Sequence, residues 1–149
     1  METLYAYIAG LIDGEGCISI RRCKQGKFIY YKPMIEVGMT DRQPIELLEK
    51  TFGNSAWYEV IPTGKRKLIC HKWRVTGSNC VPVLNPILPY LIVKRKQALI
   101  VIEFIKRIFP KGIHFTPKTR AIEYRARTTL YKKMQIVNNQ IPRIINTQY

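Results

Sequence analysis

A single acidic residue, Glu15, stands between two glycines directly after a stretch with the pattern of a helix. The C-terminal end of a helix carries partial negative charge and unpaired carbonyl oxygens, so an acid at this position does not stabilise the helix. Carboxylate and carbonyl oxygens are the ligands that hard divalent cations prefer. Glu15 is therefore a candidate metal ligand, and the alternative is a solvated acid just beyond a helix end.

A second candidate for chemistry is the basic run Lys94-Arg95-Lys96, which precedes an apolar segment. A lysine close to a phosphate can polarise a water molecule or stabilise the charge that develops on the phosphoryl oxygens. Charge runs also commonly form a solvated face, and the residues alone leave both interpretations of Lys94 open.

The segment that positions Glu15, residues 4–13, has the periodicity of a helix, with Thr3 as a candidate cap. One side carries the large apolar residues, which are predicted to pack on the chain's own sheet: Leu4, Ile8, Leu11 and Ile12. The opposite side is predicted to carry Ala6, Ala9, Gly10 and Asp13. Glycine inside a helix costs about 1 kcal/mol relative to alanine. Gly10 therefore indicates close approach of another helix, from the same chain or from a second one.

The rest of the chain alternates predicted hairpins and helices. Period-two alternation predicts one hairpin over residues 17–39, with a turn at 24–27, and another over 56–76, with a turn near 62–64. Helices are predicted at about 44–52, in a short segment after Ser78 or Asn79, at 95–109 and at about 119–138. Leu99, Ile102 and Ile105 are predicted on the core side of the third of these. This order predicts an α+β fold in which helices cover one face of an antiparallel sheet.

The charge of the chain is its most unusual bulk property. It has 25 Lys and Arg against 10 Asp and Glu, a net charge of +15, and an isoelectric point of about 9.9. Such an excess predicts a polyanionic partner, and nucleic acid is favoured because the basic residues do not gather on one amphipathic helix. No apolar run is long enough to span a bilayer and no signal segment is recognisable, so no membrane partner is expected.

The four cysteines, Cys17, Cys23, Cys70 and Cys80, form no CxxC pair. A zinc ribbon or a thioredoxin-like motif is therefore not predicted. Reduced thiols in a reducing, intracellular location, the cytoplasm of a prokaryote or an organelle, are the preferred interpretation.

Residues 8–16, with the sequence IAGLIDGEG, closely resemble the LAGLIDADG motif that names a family of homing endonucleases. The sequence departs from the motif at Ile8, at Gly14 and at Glu15, and the last of these keeps the carboxylate. The predicted order of helices and hairpins agrees with the αββαββα core of the family over residues 1–109. Residues 88–98 also resemble the region around the family's catalytic lysine.

The resemblance implies one LAGLIDADG endonuclease domain over residues 1–149. Its fold would be an αββαββα core with a saddle-shaped antiparallel sheet over residues 1–109, followed by a basic helical extension over 110–149. Because the chain has one motif, the resemblance implies a homodimer with a twofold axis. The helix contact would be formed by Ala6, Ala9 and Gly10, and Asp13 would make polar contacts at the interface.

The resemblance also implies the catalytic residues. Glu15 and the carbonyl of Gly14 would bind Mg²⁺ or another divalent cation such as Mn²⁺. Lys94 would act beside the scissile phosphate, so Glu15 and Lys94 are the predicted catalytic pair. Met39 stands where relatives often carry a water-positioning glutamine, and Thr40, Asp41 or Arg42 could replace it.

The family lays its hairpins along the major groove of double-stranded DNA, which implies a set of DNA-contacting residues on the outer side of the sheet. Arg21 and Arg74 could bond bidentately to guanine, while Lys32 and Lys72 could contact bases or phosphates. An ordinary polar sheet face is the alternative, and Trp73 is predicted to lie in the core. The full predicted set is Ser19, Arg21, Cys23, Tyr30, Lys32, Met34, Glu36, Tyr58, Lys72, Arg74 and Lys96.

These residues together predict a site-specific homing endonuclease, intron-encoded or carried by another mobile element, that makes metal-dependent double-strand cuts in a long pseudo-palindromic DNA site. Two alternatives remain open. One is a maturase that binds intron RNA and assists splicing, and the other is a DNA-binding relative that has lost cleavage, as Met39 suggests. Ten basic residues and the single acid Glu123 follow Phe104, which favours contact with the nucleic-acid backbone.

Overall fold

The computed structural model describes residues 1–62, 68–107 and 116–140. Within these ranges the chain is an α+β protein, as predicted, and none of its helices is both long and apolar enough to cross a membrane. In chain order its elements are α1 (Glu2–Glu15), β1 (Gly16–Gln25), β2 (Phe28–Met39), α2 (Gln43–Phe52), β3 (Ala56–Val60), β4 (Cys70–Thr76), a 3-10 turn (Gly77–Asn79), α3 (Cys80–Ile87), α4 (Arg95–Lys106) and α5 (Pro117–Gln140).

The four strands form one antiparallel sheet in the order β1-β2-β4-β3. The first hairpin pairs Gly16 with Val37 at one end and Gln25 with Phe28 at the other. Its tight turn starts with Gly26 at φ +58°, a backbone conformation that glycine adopts without steric cost, and it lies where the sequence predicts it. In the second hairpin β4 pairs with both β2 and β3, while the predicted turn at 62–64 falls largely outside the described residues.

Alternate strand residues are buried beneath the helices. Ile18, Ile35 and Trp73 are fully or almost fully buried, which confirms the predicted core face of the strands and the core position of Trp73. The second helix also follows the prediction, because α2 buries Ile45 and Leu48 and ends at Gly53. The described helices pack on this face, so the opposite face of the sheet stays open within the described part of the chain.

Helix α1 continues into strand β1 without a connecting loop. Gly16, the first strand residue, donates its backbone N–H to the carbonyl oxygen of Ile12. A Cβ atom at Gly16 would lie 2.7 Å from that oxygen and 2.9 Å from the Cα of Ile12, so only glycine fits. At the other end, Met1 is the N-cap residue, and the predicted capping role of Thr3 is therefore wrong.

The two faces of α1 differ from the prediction at one position. Ala9 is fully buried in the core of the single chain together with Ile8 and Ile12, so its assignment to the outer, small-residue face is wrong. The physical reason is that Ala9 lies one turn before Ile12 and therefore shares its face. The exposed face of α1 carries Ala6, Tyr7, Gly10 and Gly14.

Helix α4 also turns a different face inward. Its buried residues are Gln97, Ala98, Ile100, Val101 and Phe104. Leu99 is 49% exposed, so its predicted core position is wrong, while Ile102 and Ile105 are only partly buried. Because residues 98–102 are all apolar, the periodicity of this segment does not distinguish one helix face from another.

Helix α5 packs on the same hydrophobic core. Leu130 and Met134 are buried in it, and the Tyr131 ring stacks on Tyr31 of β2 with 4.8 Å between the ring centroids. An ion pair of 3.5 Å between the Arg107 Nη1 and the Glu123 Oε2 joins α5 to the end of α4. The predicted helix at about 119–138 is therefore confirmed, whereas residues 108–115 and 141–149 of the predicted extension lie outside the described residues.

Candidate nucleic-acid interface and acidic site

The register of the sheet brings the predicted DNA-contacting residues onto its open face. Directly paired residues of antiparallel strands point to the same side. These pairs are Ser19 with Met34, Arg21 with Lys32, Cys23 with Tyr30, Glu36 with Arg74, and Tyr58 with Lys72. Only Lys96 of the predicted set lies elsewhere, exposed in the first turn of α4.

The open-face residues differ in how far they are available to a ligand. Arg21, Tyr30 and Lys32 are exposed near the hairpin end, whereas Ser19 is half-buried. Met34 is only 3% exposed, so its predicted contact with DNA is wrong. Alternation in a strand decides which face a side chain occupies, but it does not decide whether neighbouring side chains cover it.

Glu36 is the centre of a polar network that joins three strands. Its carboxylate accepts hydrogen bonds from the Arg74 Nε at 2.6 Å, the Lys72 Nζ at 3.0 Å and the Tyr58 hydroxyl at 3.1 Å. The Arg74 Nη2 also contacts both Glu36 and the Tyr58 oxygen. The Arg74 guanidinium in addition lies 4.9 Å from the centroid of the Tyr58 ring. Two predicted DNA contacts, Lys72 and Arg74, are thus already paired within the chain.

The network shifts the ionisation of two of its members. Burial raises the pKa of Glu36, but the hydrogen bonds from Lys72, Arg74 and Tyr58 outweigh burial, so this pKa lies below its ordinary value. Burial and the hydrogen bond to Glu36 raise the pKa of Tyr58. The carboxylate is therefore held in its charged form and the phenol in its neutral form.

The exposed face of α1 has no packing partner among the described residues. A Cβ atom added at Gly10 or at Gly14 would have no other heavy atom within 4 Å, beyond its chain neighbours and helix backbone. Packing of this face against another described helix of the same chain, the alternative left open by the sequence, is therefore excluded. Tyr7 on the same face is 51% exposed.

Asp13 has a partner that the sequence does not reveal. Its carboxylate accepts the backbone N–H groups of Ile92 at 2.7 Å, Val93 at 3.1 Å and Lys94 at 2.8 Å. Lys94 is the N-cap residue of α4, and a carboxylate is favourable at the positive end of a helix dipole. Asp13 therefore ties α1 to the segment before α4, and its predicted contacts across an interface stay a prediction.

Lys94 lies at the end of α1 that carries Glu15. Its Nζ donates a hydrogen bond to the carbonyl oxygen of Asp13. Burial lowers the pKa of Lys94, and the nearby negative charges of Asp13 and Glu15 oppose this shift. The two residues predicted to be catalytic therefore lie at the same end of α1, although their positions differ by 79 in the sequence.

Glu15 and Gly14 supply oxygen donors suited to a hard cation. Both residues are exposed, and Glu15 makes no hydrogen bond or ion pair within the described ranges. The same residues contain no group of three or more His, Cys, Asp or Glu able to hold a metal ion. The donor chemistry fits Mg²⁺, but a complete Mg²⁺ site would require further ligands from outside the described part of the chain.

Met39, at the position predicted for a water-positioning glutamine, does not face the open side of the sheet. Met39 ends β2 on the core-facing side and packs partly against the core. Among the possible substitutes, Asp41 accepts the N–H of Gln43 at 2.9 Å, and Arg42 pairs with Glu46 at 2.7 Å. The remaining candidate, Thr40, is exposed.

Several exposed residues next to these features were not predicted. Cys17 lies on the open face opposite Glu36, and the alternation of β1 already places it there. Gly14, which was predicted only as a metal ligand, also belongs to the outer face of α1, as its spacing of four from Gly10 indicates. Ile92 is 87% exposed beside Asp13, a feature for which the sequence carries no signal.

The helix–hairpin order, the open four-stranded sheet and the acidic end of α1 define a fold, that of the LAGLIDADG homing endonucleases. The structure is similar to the homing endonuclease I-CvuI, solved with a DNA target and Mg, at a TM-score of 0.73 and 21% identity over 91% of this chain and 83% of that one.

Two further solved structures share this fold. The archaeal intron-encoded endonuclease I-Vdi141I, complexed with DNA, has a TM-score of 0.72 and 17% identity over 91% of this chain and 84% of that one. The endonuclease I-GzeII, also with its DNA target, has a TM-score of 0.68 and 18% identity over 97% of this chain but 50% of its own. No protein-family model and no curated protein matches the sequence.

Proposed function

We propose that the protein is a homing endonuclease, encoded by an intron or another mobile element, that cuts both strands of a long pseudo-palindromic DNA site as a homodimer. One observation carries this proposal. The exposed Glu15 carboxylate lies at the end of a glycine-faced helix where Lys94 is held by the Asp13 carbonyl, and this helix continues directly into a strand of the open, cationic sheet face.

The homodimer is supported by the exposed face of α1. Gly10 and Gly14 have open space where a side chain would stand, which allows the backbone of a second α1 to approach closely. Tyr7, Ile92 and Val93 add exposed apolar surface of the kind that protein interfaces cover. Two copies related by a twofold axis would bring two Glu15 carboxylates together at one end of the helix pair.

Duplex DNA as the ligand is supported by the charge and by the shape of the open face. The chain has a net charge of +15, and the open sheet face carries Arg21, Lys32, Lys72 and Arg74. A two-stranded ribbon of this kind fits the major groove, where base edges can be read. The structural neighbours I-CvuI, I-Vdi141I and I-GzeII were each solved with DNA.

The chemistry is hydrolysis of a phosphodiester on each strand. A divalent cation held by Glu15 and the Gly14 carbonyl would supply stabilisation of charge on the phosphoryl oxygens. Lys94, held by the Asp13 carbonyl, places its ammonium group where it can stabilise the charge that develops during cleavage. Scissile phosphates that face each other across a minor groove about 6 Å wide are within reach of two acids at one dimer axis.

The test is cleavage of a randomised duplex library by the wild type and by Glu15→Gln, with and without Mg²⁺. We expect the wild type to cut both strands at a long, nearly palindromic sequence only when Mg²⁺ is present. Glu15→Gln should lose cleavage by about a thousandfold or more while it keeps its affinity for the same sequence, because only the metal ligand is removed. Glu103→Gln, the same change on an exposed face of α4, is the matched control.

Cleavage by Glu15→Gln at the wild-type rate would refute the metal assignment. Sequence-specific binding without any cleavage by the wild type would instead support a relative that has lost its activity. Tighter binding of intron RNA than of any duplex in the library would favour the maturase.

A further inference from the structure

Glu36 is unusual in its position. Among the strand residues that the structure describes it is the sole carboxylate on the open face, because Glu59 pairs with His71 and points to the other side. Its side chain is 14% exposed, and the side chains of Lys72 and Arg74 are each 30% exposed. An acid in a surface meant for a polyanion weakens binding, so this one requires a function of its own.

Among the residues that the structure describes, the network leaves only the Nη1 group of the Arg74 guanidinium without a partner. The edge formed by Nε and Nη2 is bonded to Glu36, and Nη2 also contacts the Tyr58 oxygen. The ring of Tyr58 covers one face of the guanidinium. Arg74 can therefore approach a base only through the end that carries Nη1, and it can do so in one orientation.

We propose that Glu36 is a positioning residue that makes Arg74 selective for guanine at one position of each DNA half-site. This inference rests on the proposed function and deepens it. An arginine that is held before binding loses less rotational freedom when its Nη1 group donates to an acceptor, O6 or N7, of guanine. A guanidinium that is held in place is also less able to turn toward a nearby phosphate, which carries no sequence information.

The same carboxylate limits non-specific binding. With Glu36 charged, the group of Glu36, Lys72 and Arg74 has a net charge of +1 instead of +2. Fewer counterions are then released when the face meets any phosphate backbone, so affinity for unrelated sequences is lower. Glu36 therefore lowers the affinity for DNA in general and raises the selectivity among DNA sequences, as repulsive groups in selective interfaces do.

The experiment measures binding of the full chain to a randomised duplex library in the absence of divalent metal, so that no strand is cut. The variants are Glu36→Gln, Arg74→Ala and the double variant, and Glu103→Gln provides the same change of charge on α4. The dependence of affinity on salt is measured for each protein, and thermal unfolding shows that each is folded.

We expect Glu36→Gln to lower the preference for guanine at one position by about fivefold, the lower end of what one arginine–guanine contact contributes. It should also bind unrelated duplex a few times more tightly and steepen the salt dependence by about one unit of log–log slope. In the Arg74→Ala background the Glu36 substitution should no longer change base preference, because Glu36 acts through Arg74. Glu103→Gln should leave the preference at every position unchanged.

An unaltered guanine preference in folded Glu36→Gln would overturn the inference while leaving the proposed function intact. An effect of Glu36→Gln that persists without Arg74 would also overturn it, since Glu36 would then contact the base itself. If the wild type has no sequence preference at all, the proposed function fails, and that outcome is visible before any variant is measured.

Discussion

Asp13 joins two segments that are far apart in sequence, because its carboxylate accepts three backbone N–H groups before α4. In Asp13→Asn the side chain loses its charge and one acceptor oxygen, so at least one of these donors is left without a partner. We expect the free energy of unfolding to fall by about 1–3 kcal/mol. Chemical denaturation measures this loss.

Asp41→Asn is the matched control, because Asp41 caps a single N–H, that of Gln43, at an exposed position. Its effect should be below about 1 kcal/mol. Equal decreases in the free energy of unfolding for the two variants would contradict the prediction, because the three bonds to residues 92–94 would then contribute no more than a single exposed cap.

Glu36 predicts a pH dependence of stability. Its pKa in the folded protein lies below the ordinary value of 4.5, so its ionisation stabilises the fold above that pH. This contribution is lost as the pH falls below 4.5 toward the lower, folded-state pKa. We therefore expect the wild type to exceed Glu36→Gln in stability most at about pH 7, and the difference to shrink toward about pH 3. Urea denaturation across this range measures the difference in the free energy of unfolding. A difference that does not change with pH would contradict the prediction.

At the residue scale the sequence predicts which residues could carry chemistry better than it predicts which residues they contact. Glu15 and Lys94 are chosen from the resemblance, and the structure brings them to the same end of α1. The bonds of Asp13 and the pairing of Arg74 with Glu36 could not be predicted, because each depends on contacts between distant segments. Met34 was misjudged for a related reason, since its burial depends on its neighbours across the sheet.

Two glycines of the motif have opposite roles, one inside α1 and the other at the junction of α1 with β1. At Gly10 a side chain would enter open space, whereas at Gly16 a Cβ atom would clash with Ile12. We expect Gly10→Leu to leave the fold of the single chain intact, since leucine favours a helix over glycine by roughly 0.8 kcal/mol. It should nevertheless weaken dimerisation by about tenfold or more, because the second backbone can no longer approach closely. Sedimentation equilibrium measures the dimerisation constant.

Gly16→Ala is the contrasting variant. We expect it to lower the thermal stability of the single chain, because its Cβ atom would clash with Ile12. A dimer of unchanged affinity in Gly10→Leu would exclude this face of α1 from the interface.

At the element scale, period-two patterns predicted the strands and their inward faces correctly, because each strand here has one buried and one open side. Helices were predicted well in position but less well in orientation. In α4 a run of five apolar residues hides the inward face, and in α1 the small Ala9 was grouped with the glycine face although it packs in the core. The central place of β4 in the sheet has no sequence signal, since it arises from the pairing of two distant hairpins.

Two neighbouring arginines allow the DNA-binding side of the whole molecule to be tested. Arg21 pairs with Lys32 on the open face, while Arg22 pairs with Tyr31 and points to the side covered by α5. Both are exposed and carry the same charge. We expect Arg21→Ala to relax base preference at one position per half-site, by about tenfold, whereas Arg22→Ala should lower affinity only slightly and equally for all sequences. Selection from a randomised duplex library measures base preference and affinity for both variants. A loss of base preference in Arg22→Ala but not in Arg21→Ala would show that the open face is not the side that contacts the bases.

The absence of a loop between α1 and β1 has a consequence for how such a protein can change its target. The last helix residue, Glu15, and the first strand residue, Gly16, are adjacent, so under the proposed function the metal ligand and the first base-contacting strand cannot move independently of each other. Under the proposed function, substitution of strand residues nearer the hairpin turn can change which bases are recognised. The spacing between the two DNA half-sites, by contrast, depends on the α1–β1 junction. We expect this spacing to stay constant among related proteins whose base preferences differ.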